Sequence, residues 1–555
     1  MPTITMEIEE LNKLVGRELS VEEIASFIER LKGEVEKVED GEITAEVTSD
    51  RPDLFSVEGI ARAVRLLLGM QPSSFTISEG STEVFVKESV LQVRPAIACS
   101  AVREVSLNEL AVAQIMQLQE KLHHTYGLRR KEASIGVYDL DKVTPPIYYE
   151  ALPPEEIVFT PLNCEEKMDG REILERTEVG KLYGHLLKRA ERFPVLRDSK
   201  GVVLSMPPII NSEDTRVTKD SRNLFIDVTG FNQLRLNDIV KVLATSIAER
   251  GRILEIVKIH RPKGEILRTP SIERQRVLLN LGYVEKVLGT PVDLTTVKQA
   301  LVKMGHRVSR TGRNQLLVEV APYRVDILHP VDLVEDIAMG MGLEQLPLES
   351  PPIFTVGKLH WKEQLARRIR DLMTGLGFQE VVTYILSSKE IVELSKEPWV
   401  EIANPVSSEY IVLRNSLIPK MVMFLSRNQH VEYPQKIFEI GDSVEVRGKV
   451  PVTTFGVAAA IADYSVGFED IQAVVHALLA NLGLTPRYSP ARHSCFIGGR
   501  CAEVLCGICG EKLGVMGEVK PEILESMELL MPVAAMELKL EKVRECLDRH
   551  KLKLG

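Results

Sequence analysis

The sequence predicts a multidomain α+β protein, and three observations carry that prediction. A chain of 555 residues is long enough for roughly three or four domains. Period-two apolar runs, as at 43–47 and 316–320, stand among amphipathic helical runs, as at 295–304 and 361–376. Breaks rich in Pro, Gly and Ser at 71–80, 260–270 and 346–352 divide the chain. The segments expected are 1–80, a small α/β module; 81–262, a mixed α/β domain; 264–346, a small α+β domain; and 353–555.

Composition narrows the function classes. Hydrophobic content of 44% and charged content of 27% suit a soluble globular chain. No apolar run approaches the roughly 20 residues that span a bilayer. The acidic opening Met-Pro-Thr-Ile-Thr-Met-Glu-Ile-Glu-Glu is no signal peptide, so a cytoplasmic protein is expected. A net charge of −10 argues against a free-standing nucleic-acid binder but admits a subunit that touches RNA locally.

In the first segment, Ser20-Val-Glu-Glu opens a helix through Ile24, Phe27 and Leu31 with a capping-box pattern. Arg51-Pro-Asp53 reads as a turn, and Ser56 as the cap of a helix carrying Ile60, Val64 and Leu67. The second segment opens with a helix at 107–122, followed by the basic turn Lys121, His123, His124, Arg129, Arg130 and Lys131 and a strand at 133–140. Such charges are a solvated face, or a phosphate grip if nucleic acid lies beside them. Asp198-Ser-Lys-Gly201 has hairpin-turn chemistry. Pro207-Pro208 then ends pairing and sets a fixed loop ahead of Asn211. On the strand at 223–230, Phe225, Asp227 and Thr229 share one face, and a polar pair among apolar neighbours needs partners. An amphipathic helix is expected at 238–250.

The third segment holds the stretch with the most concentrated chemistry, Ala-Pro-Tyr-Arg-Val-Asp-Ile-Leu-His-Pro-Val-Asp-Leu-Val-Glu-Asp-Ile-Ala at 321–338. A helix can start just after Pro330, with Leu333, Ile337 and Met341 on its apolar face. Asp332, Glu335 and Asp336 then share one side, and Asp326 can fold back toward them. Four like charges repel unless a cation sits among them, and a hard divalent ion such as Mg2+ suits oxygen ligands. Asp332 is equally a helix N-cap, with Asp332-x-x-Glu335 as a capping box.

The last segment starts with a helix at 361–376 ended by Gly377, then strands at 378–384 and 436–441. Seven cysteines without a secretory signal argue against a disulfide framework. Cys495, Cys501, Cys506 and Cys509 crowd together, and Cys506-Gly-Ile-Cys509 is a CxxC. Paired CxxC motifs would be the stronger zinc signal. The run 501–509 reads as a strand with a turn at Gly510-Glu511, so small buried thiols are expected.

Four motifs carry a resemblance. Arg324-Val-Asp-Ile with Asp332-Leu-x-Glu-Asp-Ile337 resembles the magnesium signature of the phenylalanyl-tRNA synthetase β subunit, archaeal and eukaryotic type. The run 49–62 is similar to that family's N-terminal module, and 122–141 to the start of its editing domain. The order of elements in 353–555 is similar to the antiparallel core of class II aminoacyl-tRNA synthetases. The resemblance implies Asp326, Asp332, Glu335 and Asp336 as Mg2+ ligands. It also implies an editing pocket lined by Leu196, Ser205, Asp227 and Thr229, with Asn211 beyond the Pro-Pro. Asp227 and Thr229 would read a tyrosyl hydroxyl, and Ser205 would place the ester or a water. The implied partners are an α subunit, in a tetramer of two α and two β chains, and tRNA-Phe.

The last segment departs from a working class II core. Where such a core has an Arg two residues before a Glu, this chain has Ile437 before Phe438-Glu439. Where it has Gly-x-Gly and an Arg, this chain has Met-Pro-Val-Ala-Ala-Met-Glu-Leu-Lys-Leu540. Without those cations, charge on an activated phosphate is not stabilised. A catalytic-like domain without chemistry is therefore expected, its apolar helix faces packing on a partner. A partner-free hydrolase and an inert scaffold are the competing readings.

Overall fold

The computed structural model describes residues 2–71, 75–351 and 353–549. Residues 72–74 of the first expected linker and residue 352 of the last lie outside the described residues. The chain forms two compact units, Met1–Ser350 and Pro351–Gly555.

Within the first unit, residues 2–71 build a three-stranded sheet in the order Thr3–Glu7, Glu42–Glu46, Glu34–Glu39. Every pair is antiparallel, so the module is α+β and not the α/β unit expected. The reason is local: Asp40 and Gly41 both take left-handed backbone, φ 49° and 82°, and close a tight hairpin. Ser20 and Ser56 cap the helices Val21–Arg30 and Val57–Leu67 as expected, Ser20 in a full capping box.

The second segment is one mixed sheet. Its order runs Ile210–Asn211, Val203–Met206, Phe193–Arg197, Ile147–Leu152, Thr76–Val86, Ile253–His260, Ala96–Arg103, Leu224–Gly230, Ala133–Asp139, with Ile266–Thr269 beside Ile253–His260. Only Thr76–Val86 pairs in parallel, with Ile147–Leu152 on one side and Ile253–His260 on the other. Residues 76–80, expected in a linker, begin this strand. The helices Glu109–His124 and Gln233–Ala248 bury Ile115, Leu118, Leu236 and Leu243 in a core continuous with Leu11, Ile60 and Val64 of the first segment.

The third segment pairs Gln315–Glu319 with Arg276–Asn280 and Arg307–Arg310, all antiparallel. The helices Leu294–Lys303 and Pro330–Met341 cover it through Val297, Leu301, Leu333 and Ile337. Arg30 donates to the carbonyls of Met339 and Gly340 at 2.7 Å each, satisfying two carbonyls at the buried C-terminal end of the Pro330–Met341 helix.

The second unit is a seven-stranded sheet, antiparallel except where Gln379–Glu380 joins Gln435–Arg447. Both faces are covered. Phe438 and Ala459 face the helices Trp361–Gly375, Phe468–Asn481 and Leu540–Arg549. Ile437, Ala458 and Ala460 face Ile418–Arg427, as strand alternation requires. The strand expected at 378–384 shrinks to Gln379–Glu380 because Val382 and Tyr384 open to solvent. The apolar face of Trp361–Gly375, expected to meet a partner, is spent on this core through Leu365, Ile369 and Met373.

Candidate active site

The strand Leu224–Gly230 lies between Ala96–Arg103 and Ala133–Asp139, with every residue buried. Asp227 stands opposite Gly136 in register. A Cβ at Gly136 would meet Tyr138 Oη at 1.9 Å and Asp227 Oδ1 at 2.4 Å, so any larger residue would displace them. The space so kept is part of a cavity of about 180 Å³. Its walls include Ser205, Asn211, Asp227, Tyr138, His123 and Arg130.

Ser205 and Asn211 meet because Pro207-Pro208 turns the chain back on itself. The loop expected ahead of Asn211 is the turn 207–209, after which Asn211 pairs with Ser205 and Ile210 with Met206. Asp198 accepts from the amides of Lys200 and Val202 at 2.9 Å, closing the hairpin expected before Ser205.

Tyr138 Oη lies 2.5 Å from Asp227 Oδ1 and 2.7 Å from Ser205 Oγ. A phenol carries one hydrogen, so it donates to one of the two at a time. When Asp227 is ionised the phenol serves the carboxylate, and the Ser205 hydroxyl donates to the phenol oxygen or into the cavity. Burial pushes the Asp227 carboxyl up to about 7, against the Tyr138 hydrogen bond and the Arg94 charge that pull it down. Near neutrality the group is therefore divided between acid and carboxylate, which suits proton transfer.

The basic turn splits. His124, Arg129 and Lys131 stay exposed. His123 and Arg130 turn inward and line the cavity. His123 Nε2 accepts from the Ile135 amide at 2.8 Å, so Nδ1–H donates to Glu120 at 2.9 Å. Burial lowers the imidazole's proton affinity, so the ring is neutral. Arg130 donates to Glu120 at 2.7 Å and to the Ile209 carbonyl at 2.8 Å. Gln119 Oε1 and Arg130 Nε are buried with no partner among the described residues, the condition of polar groups that await a ligand.

Leu196 and Thr229 stand behind the cavity. Leu196 pairs with Ser205 in register and packs in the core with Tyr138 and Phe225. The Thr229 hydroxyl accepts from Arg94 Nε at 3.1 Å and lies 3.0 Å from Ser134 Oγ. Tyr138, Gly136 and Arg94 are the residues that sequence reasoning missed. Tyr138 lies on the strand expected at 133–140, but only sheet register puts its hydroxyl between Asp227 and Ser205.

The four carboxylates of the third segment are each committed elsewhere. Arg324 holds Asp326 in a two-pronged pair at 2.9 and 2.7 Å and Asp336 at 2.8 Å. His306 Nε2 donates to the other Asp336 oxygen at 2.7 Å. Although burial opposes it, the Arg324 charge and the His306 hydrogen bond hold Asp336 well below the usual carboxylate range. Asp332 accepts from the amides of Leu328 and His329 at 2.8 and 2.7 Å, so the capping box is His329–Asp332 and not Asp332–Glu335. Pro330 is itself the first helical residue. Glu335 is exposed and pairs with Lys32 at 3.1 Å. Among the described residues, no three of these groups bring ligand atoms close enough to share an ion. Mg2+ therefore does not fit this set as it is folded. The guanidinium of Arg324 supplies the positive charge beside Asp326 and Asp336.

In the second unit, Glu439 is held by Arg414 at 2.7 Å and by the Thr383 hydroxyl at 2.7 Å. A cavity of about 290 Å³ nearby is lined by Asn415, Glu445, Glu537, Lys512 and Lys539 among others, and by no arginine among the described residues. Glu537 is half-buried, accepting from Ser416 Oγ at 2.5 Å. The cavity's lysines are paired with carboxylates, Lys512 with Glu503 at 2.7 Å and Lys539 with Glu445, so they are not free to hold an activated phosphate.

Three family models match. They are "Phenylalanyl tRNA synthetase beta chain CLM domain" over residues 346–540, "tRNA synthetase B5 domain" over 277–343, and "B3/4 domain" over 105–252. Together they place the chain among the aminoacyl-tRNA synthetases. The chain is similar to the phenylalanine--tRNA ligase beta subunit of Korarchaeum cryptofilum, 38% identical and covering 98% of this chain and 99% of that one. The Pyrococcus furiosus beta subunit is 38% identical, covering 97% and 99%. A crystal structure of an N-terminal fragment of the Pyrococcus horikoshii beta subunit matches with TM-score 0.59 and 36% identity, covering 61% of this chain and 99% of that one. The chain belongs to the phenylalanine--tRNA ligase beta subunit family.

Proposed function

We propose that this chain acts with an α subunit, in an assembly of two α and two β chains, as a cytoplasmic phenylalanine--tRNA ligase. The α subunit charges tRNA-Phe using ATP, and this chain hydrolyses mischarged Tyr-tRNA-Phe in the cavity of Ser205, Asn211 and Asp227. The observation that carries the hydrolysis is that cavity, which sets a carboxyl near neutrality beside two hydroxyls.

A pocket shaped for phenylalanine rejects tyrosine by only about a hundredfold, since tyrosine merely adds a hydroxyl. A second site that hydrogen-bonds the phenol does far better, because phenylalanine leaves its buried polar groups unpaired. Asp227 and Tyr138 are placed to read that phenol, and Ser205 to hold the ester or the attacking water. Thr229 acts through Arg94 and Ser134 and not on the substrate. An open groove of about 1070 Å³ shares Pro208 with the cavity and carries Arg94, Lys131, Arg189, Arg192 and Phe231. Its cations suit phosphates, and the exposed Phe231 ring suits base stacking.

The second unit completes the assembly without forming adenylate. Its apolar contact surface is Ile353, Phe354, Val356, Val382 and Tyr384, all exposed.

The test is purification with and without the α subunit, with assays of phenylalanine charging and Tyr-tRNA-Phe hydrolysis. Charging is expected only with both chains, and hydrolysis is expected to depend on Asp227. Charging by this chain alone would overturn the reading.

A further inference from the structure

The second unit brings together three thiols that the sequence keeps apart. The strand Phe496–Cys506 ends one residue before Gly507, and Lys512–Val519 leads back. Between them, the Gly510 amide donates to the Cys506 carbonyl and the Cys506 amide to the Glu511 carbonyl, both at 2.8 Å. The turn therefore comes earlier than the expected Gly510-Glu511, and Cys509 sits in it, exposed. Two glycines make it possible. Gly510 has φ +74°, which favours glycine. A Cβ at Gly507 would come within 2.6 Å of the Thr485 carbonyl oxygen, which accepts from the Gly507 amide at 2.7 Å.

The third thiol arrives on the helix Leu540–Arg549, which buries Leu540, Val543, Cys546 and Leu547 in the core. Cys546 Sγ lies 3.3 Å from Cys509 Sγ, 37 residues away in sequence. Cys506, Cys509 and Cys546 all have their sulfurs within 4.8 Å of one another. Thiolates on a tetrahedral zinc, at about 2.3 Å each, stand roughly 3.8 Å apart. A disulfide needs about 2.05 Å, and a core thiol needs no second sulfur at all. By contrast, Cys495 and Cys501 lie in the separate core on the other face of the sheet.

We propose that Cys506, Cys509 and Cys546 bind a thiophilic divalent cation of d10 type, Zn2+, pinning the Leu540–Arg549 helix to the 506–511 hairpin tip. The soft sulfur set selects such an ion over magnesium or calcium. Cys506 and Cys546 supply the dry side, while exposed Cys509 leaves an approach for the ion and room for a fourth ligand. The hairpin tip is already clamped to that helix: Glu511 pairs with Lys542 at 3.1 Å and Arg549 at 3.9 Å, on either side of Cys546. Binding exchanges three S–H bonds for three S–Zn bonds and gives three protons to the buffer. Because each thiol gives up its proton on binding, affinity falls as pH falls. The sequence continues Leu-Asp-Arg-His550, a C-x3-H spacing; His550 lies outside the described residues, and the proposal rests on the three thiols.

The test uses the full chain in complex with its α subunit, purified under reducing conditions without chelator. Zinc is measured by elemental analysis, and Co2+ serves as the spectroscopic probe. Stoichiometric zinc and a thiolate-to-cobalt charge-transfer band are expected. Cys509→Ser, at an exposed position that folding tolerates, should weaken Co2+ binding by more than about tenfold, and Cys501→Ser should leave it unchanged. Free thiols without metal in the wild-type chain would overturn the proposal. So would undiminished binding in Cys509→Ser, or a Cys509–Cys546 disulfide recovered in place of metal.

Discussion

Replacing Asp227 by Asn tests the physical basis of the cavity directly. The side chain is fully buried, and its carboxyl is pushed from the ordinary 3.8 to about 7. The folded chain therefore holds a proton that the unfolded chain has released, throughout the interval between those values. The stability this contributes is complete below pH 3.8 and is lost as pH rises through 7. At about 1.4 kcal/mol per pH unit, the loss reaches about 4 kcal/mol. Asn keeps the shape and the acceptor for Tyr138 but cannot ionise. Its own cost or gain is constant with pH, so the difference between variant and wild type isolates the titration. Native-state hydrogen exchange of peptides covering the Leu224–Gly230 strand gives the opening free energy of this region without assuming that both units unfold together. Relative to wild type, Asp227→Asn should gain up to about 4 kcal/mol between pH 4 and pH 9, most steeply from about pH 5 to 7. A difference that stays flat within about 1 kcal/mol over that range would show that the carboxyl titrates normally. The desolvation argument for a neutral-range acid in this cavity would then be wrong.

Gly136→Ala should abolish Tyr-tRNA-Phe hydrolysis in the αβ assembly while phenylalanine charging persists, because the new methyl meets Tyr138 Oη and Asp227 Oδ1. Parallel charging and deacylation assays read this split. Arg324→Met should destabilise the first unit by about 3–5 kcal/mol, since it strips Asp326 and buried Asp336 of their shared cation. Asp336 is held below its ordinary range, so its contribution is present above about pH 4 and lost as pH falls. The deficit in Arg324→Met should therefore shrink in acid, as stability measurements at about pH 3 and about pH 7 would show.

What the sequence determined by itself is what depends on near neighbours. Helix starts at Ser20 and Ser56, the Asp198–Gly201 hairpin and the apolar faces through Leu333 and Leu365 need only residues within a few positions of one another. So does the absence of arginine at 437 and along 531–540. The placement of Asp227 in a buried strand between apolar residues was legible for the same reason. Tertiary structure decided everything that depends on register and on distant partners. Asp326, Asp332, Glu335 and Asp336 looked like one site because helical spacing counts charges and not their answers. Arg324 and His306 neutralise Asp336 only because the strand Arg276–Asn280 and the helix Leu294–Lys303 pack against its helix. Thr229 shares a strand face with Asp227, yet Arg94, 135 residues away, takes its hydroxyl. Tyr138 meets Ser205 across 67 residues, and Cys546 meets Cys509 across 37. A local pattern states which groups are present on a face; only the folded chain states which of them are left without a partner, and those are the ones free to do chemistry.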